Sequence, residues 1–130
     1  MERNLNRLAN EFYSAIEQNN LFALNNLYSA DVEVWHNFTN RTQDKEQNLE
    51  SLASLFKRIS GLQFSVEARD LFPGGFVQRH VLHLKLMSGK VIDVATCQVV
   101  YVAEEQINRV FEYVDSASLA ALSETRSEEE

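Results

Sequence analysis

Few side chains in this sequence could move a proton or hold a metal. There are three histidines, His36, His80 and His83, and one cysteine, Cys97. His36 ends a short β-prone run, Val32-Glu33-Val34-Trp35-His36. Glu112 alternates with Val110 and Val114, so a strand would put all three on one face. A carboxylate on an inward apolar face costs free energy unless something pairs it. An imidazole titrates close to neutral pH, and a carboxylate beside it can orient the ring or act as the acid. Proton transfer is therefore the chemistry these residue types favour. Metal binding is not, because His80 and His83 are three apart and would face opposite ways on a strand. A lone cysteine can form neither an internal disulfide nor a Cys-based zinc cluster. Cys97 reads first as a small hydrophobe. No metal or cofactor is expected.

The elements that must position these groups fall into two halves. Leu5, Leu8, Phe12 and Ile16 recur at helical spacing, with Tyr13 alongside. Asn19 and Asn20 stop that helix and can cap a second one carrying Leu21, Leu24, Leu27 and Tyr28. Asp44 followed by Gln47 resembles a capping box for a third helix through Leu49, Leu52, Phe56 and Ile59, which Gly61 ends. The second half reads as strands over 62–72, 76–87, 90–102 and 107–115. Turns fall at Pro73-Gly74-Gly75, Ser88-Gly89 and Glu104-Glu105. A short closing helix is expected over 116–122. Helices first and an antiparallel meander after is an α+β pattern. Three helices on a strongly curved antiparallel sheet make a cone, and small ligands sit at the open end of such a shape.

If Ser88-Gly89 is a two-residue turn, His80 lies opposite Cys97, Leu82 opposite Ala95 and Leu84 opposite Asp93. The face with His80, Leu82, Leu84 and Leu86 is mostly apolar and should meet the helices. Glu112 then falls near Cys97. Ile92, Val94, Val100 and Val102, with Phe111 and Tyr113, would lie on the outer face. An apolar patch of that size rarely faces water, and a sheet-to-sheet homodimer would cover it.

With 130 residues, 45% of them hydrophobic and eight of them Phe, the chain fits one domain that needs no staples. That domain is placed at 1–123, with an acidic, disordered tail over 124–130. The net charge of −7 leaves no basic stripe for nucleic acid, and it disfavours anionic membrane surfaces. One cysteine makes a reducing cytoplasm the default. The first ten residues lack the apolar core of a signal peptide, and no run approaches a membrane span.

The run over 12–37, FYSAIEQNNLFALNNLYSADVEVWHN, resembles the opening of the ketosteroid-isomerase-like proteins of the nuclear-transport-factor-2-like (NTF2-like) superfamily. Asp44-Lys45-Glu46-Gln47 is similar to the start of their third helix. The stretch over 107–117, INRVFEYVDSA, is similar to the last strand of the SnoaL-like (polyketide cyclase) branch. The resemblance covers nearly the whole chain and implies a cone-shaped, cystatin-like α+β fold around a pocket, assembled as a homodimer. It matches His36 to a pocket group at the end of strand one, Cys97 to another pocket position, and Phe12 to a tyrosine of ketosteroid isomerases. Strand parity and the resemblance together give the candidate constellation His36, His80, Asp93, Cys97 and Glu112, walled by Phe12, Tyr13, Trp35, Leu82, Val110 and Val114.

The departures matter as much. Ketosteroid isomerases use an Asp base with a Tyr and a protonated Asp as oxyanion donors. Here His36, Phe12 and Cys97 stand at those three places, and a thiol donates poorly. Steroid isomerisation by that mechanism is disfavoured. Two functions stay open. One is an isomerase or cyclase in which His36 is the general base, Glu112 orients it or serves as the acid, and Tyr13 or His80 donates to the oxyanion. The other is a non-catalytic pocket for a small apolar carbonyl or aromatic compound. A homodimeric scaffold is weaker, because inward polar groups would then be a needless cost.

Overall fold

The computed structural model describes residues 4–120 and 122; the acidic stretch 124–130 lies outside them. Asn4 caps α1 (Leu5–Glu17), its side chain accepting from the amides of Asn6 and Arg7. Asn20 caps α2 (Leu21–Leu27) in the same way, accepting from the amide of Ala23. Asp44 and Gln47 form the expected capping box at the start of α3 (Lys45–Phe56). That helix ends at Phe56, five residues before Gly61, which lies inside a strand rather than terminating the helix.

The strands are β1 (Tyr28–His36), β2 (Arg41–Gln43), β3 (Ile59–Phe72), β4 (Gly75–Leu86), β5 (Val91–Ala103) and β6 (Gln106–Val114). They form one open sheet in the order β2-β1-β6-β5-β4-β3. The helices cover its inner face, and the result is the expected α+β cone. Residues 116–120 continue from β6 as a short helix. The meander from β3 to β6 is antiparallel, but β1 joins β6 in parallel. Short β2 was not expected, since Arg41-Thr42-Gln43 carries no apolar signal. α1 is tied to the free edge of β3. Glu17 accepts from the Phe64 amide at 2.9 Å, and Arg69 donates to the side chains of Asn6 and Asn10 at 2.6 and 2.8 Å.

One turn corrects the expected register. Leu86 N–H donates to Lys90 O at 2.8 Å, and Gly89 takes φ +93°. The loop Met87-Ser88-Gly89 is therefore three residues long, with glycine in the left-handed position that such a loop needs. The slip leaves β4 in its expected phase and reverses β5. His80 lies opposite Thr96 rather than Cys97, Leu82 opposite Val94 rather than Ala95, and Leu84 opposite Ile92 rather than Asp93. Ile92, Val94 and Val100 are buried in the core, and Val102 packs against it, so the outer position expected for these four is wrong. Cys97 and Asp93 face outward instead. Glu112 lies opposite Gln98, not near Cys97. The outer face is still apolar, through Val99, Tyr101, Phe111 and Tyr113 and through Trp35, which packs on Phe111 and Tyr113 at 6.1 and 5.2 Å.

Candidate functional site

A row of polar side chains crosses the whole inner face. Cross-strand pairing links Arg69 of β3 to Gln78 of β4, Gln98 of β5, Glu112 of β6, His36 of β1 and Arg41 of β2. At its centre, the Tyr13 hydroxyl donates to Gln98 Oε1 at 2.7 Å, and Gln98 Nε2 donates to Glu112 Oε2 at 2.5 Å. The other Glu112 oxygen faces His36 Nε2 at 3.4 Å. A carboxylate only accepts and a phenol facing a carbonyl donates, so the amide orientation of Gln98 is fixed from both ends. Burial, and then the charge of Glu112, push the Tyr13 phenol well above its usual range. It stays a neutral donor.

Asn37 holds the parallel pair in place. Its amide N–H donates to Glu112 O, and its side chain both accepts from Val114 N–H and donates to Val114 O. This clamp extends the β1–β6 ladder by one residue and keeps His36 beside Glu112. A proton on Nε2, the nitrogen that faces the carboxylate, would leave the ring's lone pair at Nδ1.

His36 and Glu112 line a cavity of about 680 Å³ between the helices and the sheet. Phe12, Leu82, Val110 and Val114 form part of its apolar wall. A second polar chain joins the sheet to α3. Tyr28 donates to Asn48 at 2.8 Å, Asn48 to Gln43 at 3.0 Å, and Gln43 to Ser51 at 2.7 Å. Burial, with Glu112 second, also raises the Tyr28 phenol.

The other expected site residues are elsewhere. Tyr13 is buried and spends its hydroxyl on Gln98. His80 is buried among Tyr13 and Phe64, with ring centroids at 5.4 and 4.8 Å, and is absent from the cavity wall. Its Nδ1 meets Gln78 Nε2 at 3.0 Å, while Gln78 Oε1 accepts from Arg69 at 2.7 Å. Arginine can only donate, so the Gln78 amide nitrogen must face the ring and Nδ1 is the acceptor. Burial lowers the imidazole to about 4. Trp35, Asp93 and Cys97 lie on the outer face, because of strand parity for the first and the three-residue loop for the other two. Gln98, Asn37, Asn48 and Arg58 were not anticipated at the site. With β5 in the phase that a two-residue loop would set, Gln98 would share the outer face with Val100 and Val102.

Outer residues form one further relay. Asp93 Oδ1 meets His83 Nδ1 at 2.6 Å, and His83 Nε2 meets Ser65 Oγ at 2.7 Å. This is the order of a nucleophilic triad. The Phe64 N–H points off the free edge to Glu17, so by alternation the Ser65 N–H points into the ladder with β4. That amide cannot serve an oxyanion, and neither the cavity nor the shallow groove between α2 and α3 reaches the relay. It is a cross-strand surface network. Among the described residues, no cluster of His, Cys, Asp or Glu could hold a metal ion, and no helix is long and apolar enough to cross a membrane.

Similar folds identify the architecture. IdmH of Streptomyces antibioticus, described as a candidate polyketide cyclase, superposes with TM-score 0.81 over 92% of this chain and 97% of its own, at 14% identity. A protein from Shewanella denitrificans, described as a candidate SnoaL-like polyketide cyclase, gives 0.79 over 92% and 96%, at 13% identity. The fold is that of the NTF2-like, ketosteroid-isomerase-like proteins. Another such protein, from Catenulispora acidiphila and solved with trimethylamine, gives 0.78 over 91% and 92%, at 16% identity. No family model matches the chain, and no curated protein does. In this NTF2-like fold, His36 holds the last position of β1 and Glu112 stands beside it on β6.

Proposed function

We propose that this protein binds a small apolar carbonyl compound in the cavity and moves a proton on the carbon next to that carbonyl. The reaction type is that of a SnoaL-like isomerase or cyclase. The observation that carries the reading is the placement of Glu112, which divides its two oxygens between Gln98 and His36 and stands among the apolar side chains of Leu82, Val110 and Val114. His36 is the base, and Glu112 orients the ring and offsets the charge it gains. Tyr13 serves through Gln98 rather than by donating to an oxyanion, and His80 takes no part.

A non-catalytic binder is the second reading, favoured by that same commitment of the Tyr13 hydroxyl. The two readings share the cavity and differ in turnover. Binding is tested with 2-tetralone, a bicyclic ketone with activated protons beside its carbonyl. Saturable binding is expected in the wild type and in His36→Ala, with loss in Leu82→Trp, which fills the space. Wild-type binding that survives Leu82→Trp unchanged would remove the cavity from the account.

A further inference from the structure

Arg58 follows α3 directly before Ile59 opens β3, and it lines the cavity. Its Nε is buried and has no hydrogen-bond partner. An arginine stays protonated in proteins, and a buried donor left unpaired is costly. The described cavity wall holds one fixed cation, Arg58, and one carboxylate, Glu112. They stand on different walls, Arg58 at the end of α3 and Glu112 on the sheet. The charge of Glu112 is answered by His36 and Gln98, whereas that of Arg58 is answered by no side chain among the described residues. The chain carries a net charge of −7, so anions are not drawn to it by its overall field. Holding one in this cavity requires a placed cation.

We propose that the ligand carries a carboxylate and that Arg58 anchors it. The guanidinium fork matches a carboxylate in two parallel hydrogen bonds. Ser54, on the same helical wall, offers a further hydroxyl. The substrate class is thus a keto acid, held by its carboxylate at the helical wall with its carbonyl turned to His36. This rests on the cavity being a ligand site, and the test separates the two claims.

Two probes of nearly equal shape, 2-naphthoate and its neutral counterpart 2-acetonaphthone, are titrated calorimetrically against the full chain at neutral pH. The wild type is expected to bind naphthoate at least about tenfold more tightly, as a charged, bidentate pair should. Arg58→Met should erase that preference and leave ketone affinity intact, which also shows that the variant is folded. Arg58→Lys keeps the charge without the fork and should retain part of the preference; it carries the comparison if Arg58→Met binds neither probe. If naphthoate gains nothing over the ketone, or its advantage survives in Arg58→Met, the anchor is wrong and the cavity reading stands. If the wild type binds neither probe, the cavity reading fails and the anchor fails with it.

Discussion

Gln98 shows how one side chain decides what its neighbours can do. Its amide takes the Tyr13 hydroxyl on one end and holds Glu112 on the other. Tyr13→Phe leaves a buried carbonyl oxygen unpartnered and should cost roughly 1–2 kcal/mol, read by urea denaturation. The neutral ring of His80 makes a different prediction. Its folded pKa of about 4 lies below the ordinary 6.5 of an imidazole. Between those values the unfolded chain binds a proton that the folded chain does not. Stability is therefore unaffected above about pH 6.5, falls as the pH drops towards 4, and levels off below. The loss is on the order of 2–3 kcal/mol. Carboxylates also titrate in this window, so the measurement is the difference in stability slope between wild type and His80→Gln. Equal slopes would show that His80 takes up its proton without opposing the fold.

Turns carry the next level of information. The helices were legible because caps and apolar spacing agree in α1 and α3. The phase of β5 was not, because both of its faces are apolar. Ile92, Val94 and Val100 alternate with Val91, Ala95, Cys97, Val99 and Tyr101, so the pattern fits either orientation. Only the length of the loop at Gly89 decides, and a Ser-Gly pair suits two lengths. That one residue moved Gln98 into the site and Cys97 and Asp93 out of it. The parallel partnership that sets His36 beside Glu112 joins residues far apart in sequence, and no local pattern announces it; only the resemblance at the end of β1 pointed to His36. Gly89→Ala, at φ +93°, should cost about 1 kcal/mol through backbone strain. Gly75→Ala should cost more, because its new Cβ would meet the Val100 carbonyl oxygen and the Phe72 ring, and a backbone cannot give way as a side-chain tip can. Thermal melts of the two variants rank these effects, and the reverse order would contradict the close packing where β4 begins against the end of β5.

The whole molecule presents two faces with different tasks. The inner face encloses the cavity. The outer face keeps Trp35, Tyr101, Phe111 and Tyr113 together, with Tyr113 47% exposed. We propose that a second copy covers this patch, since an aromatic surface of this kind seldom stays wet. Sedimentation should show a dimer for the wild type and a monomer for Tyr113→Glu; a monomeric wild type would leave the patch to another partner. Proton transfer belongs to the inner face, and deuterium uptake reads it. 2-Tetralone is incubated with the protein in D₂O, and exchange beside its carbonyl is followed by proton NMR. Exchange well above the buffer rate is expected in the wild type and lost in His36→Ala and Glu112→Gln, although both still bind the ketone. Exchange no faster than buffer from a wild type that binds the ketone would contradict proton transfer and leave a binding pocket.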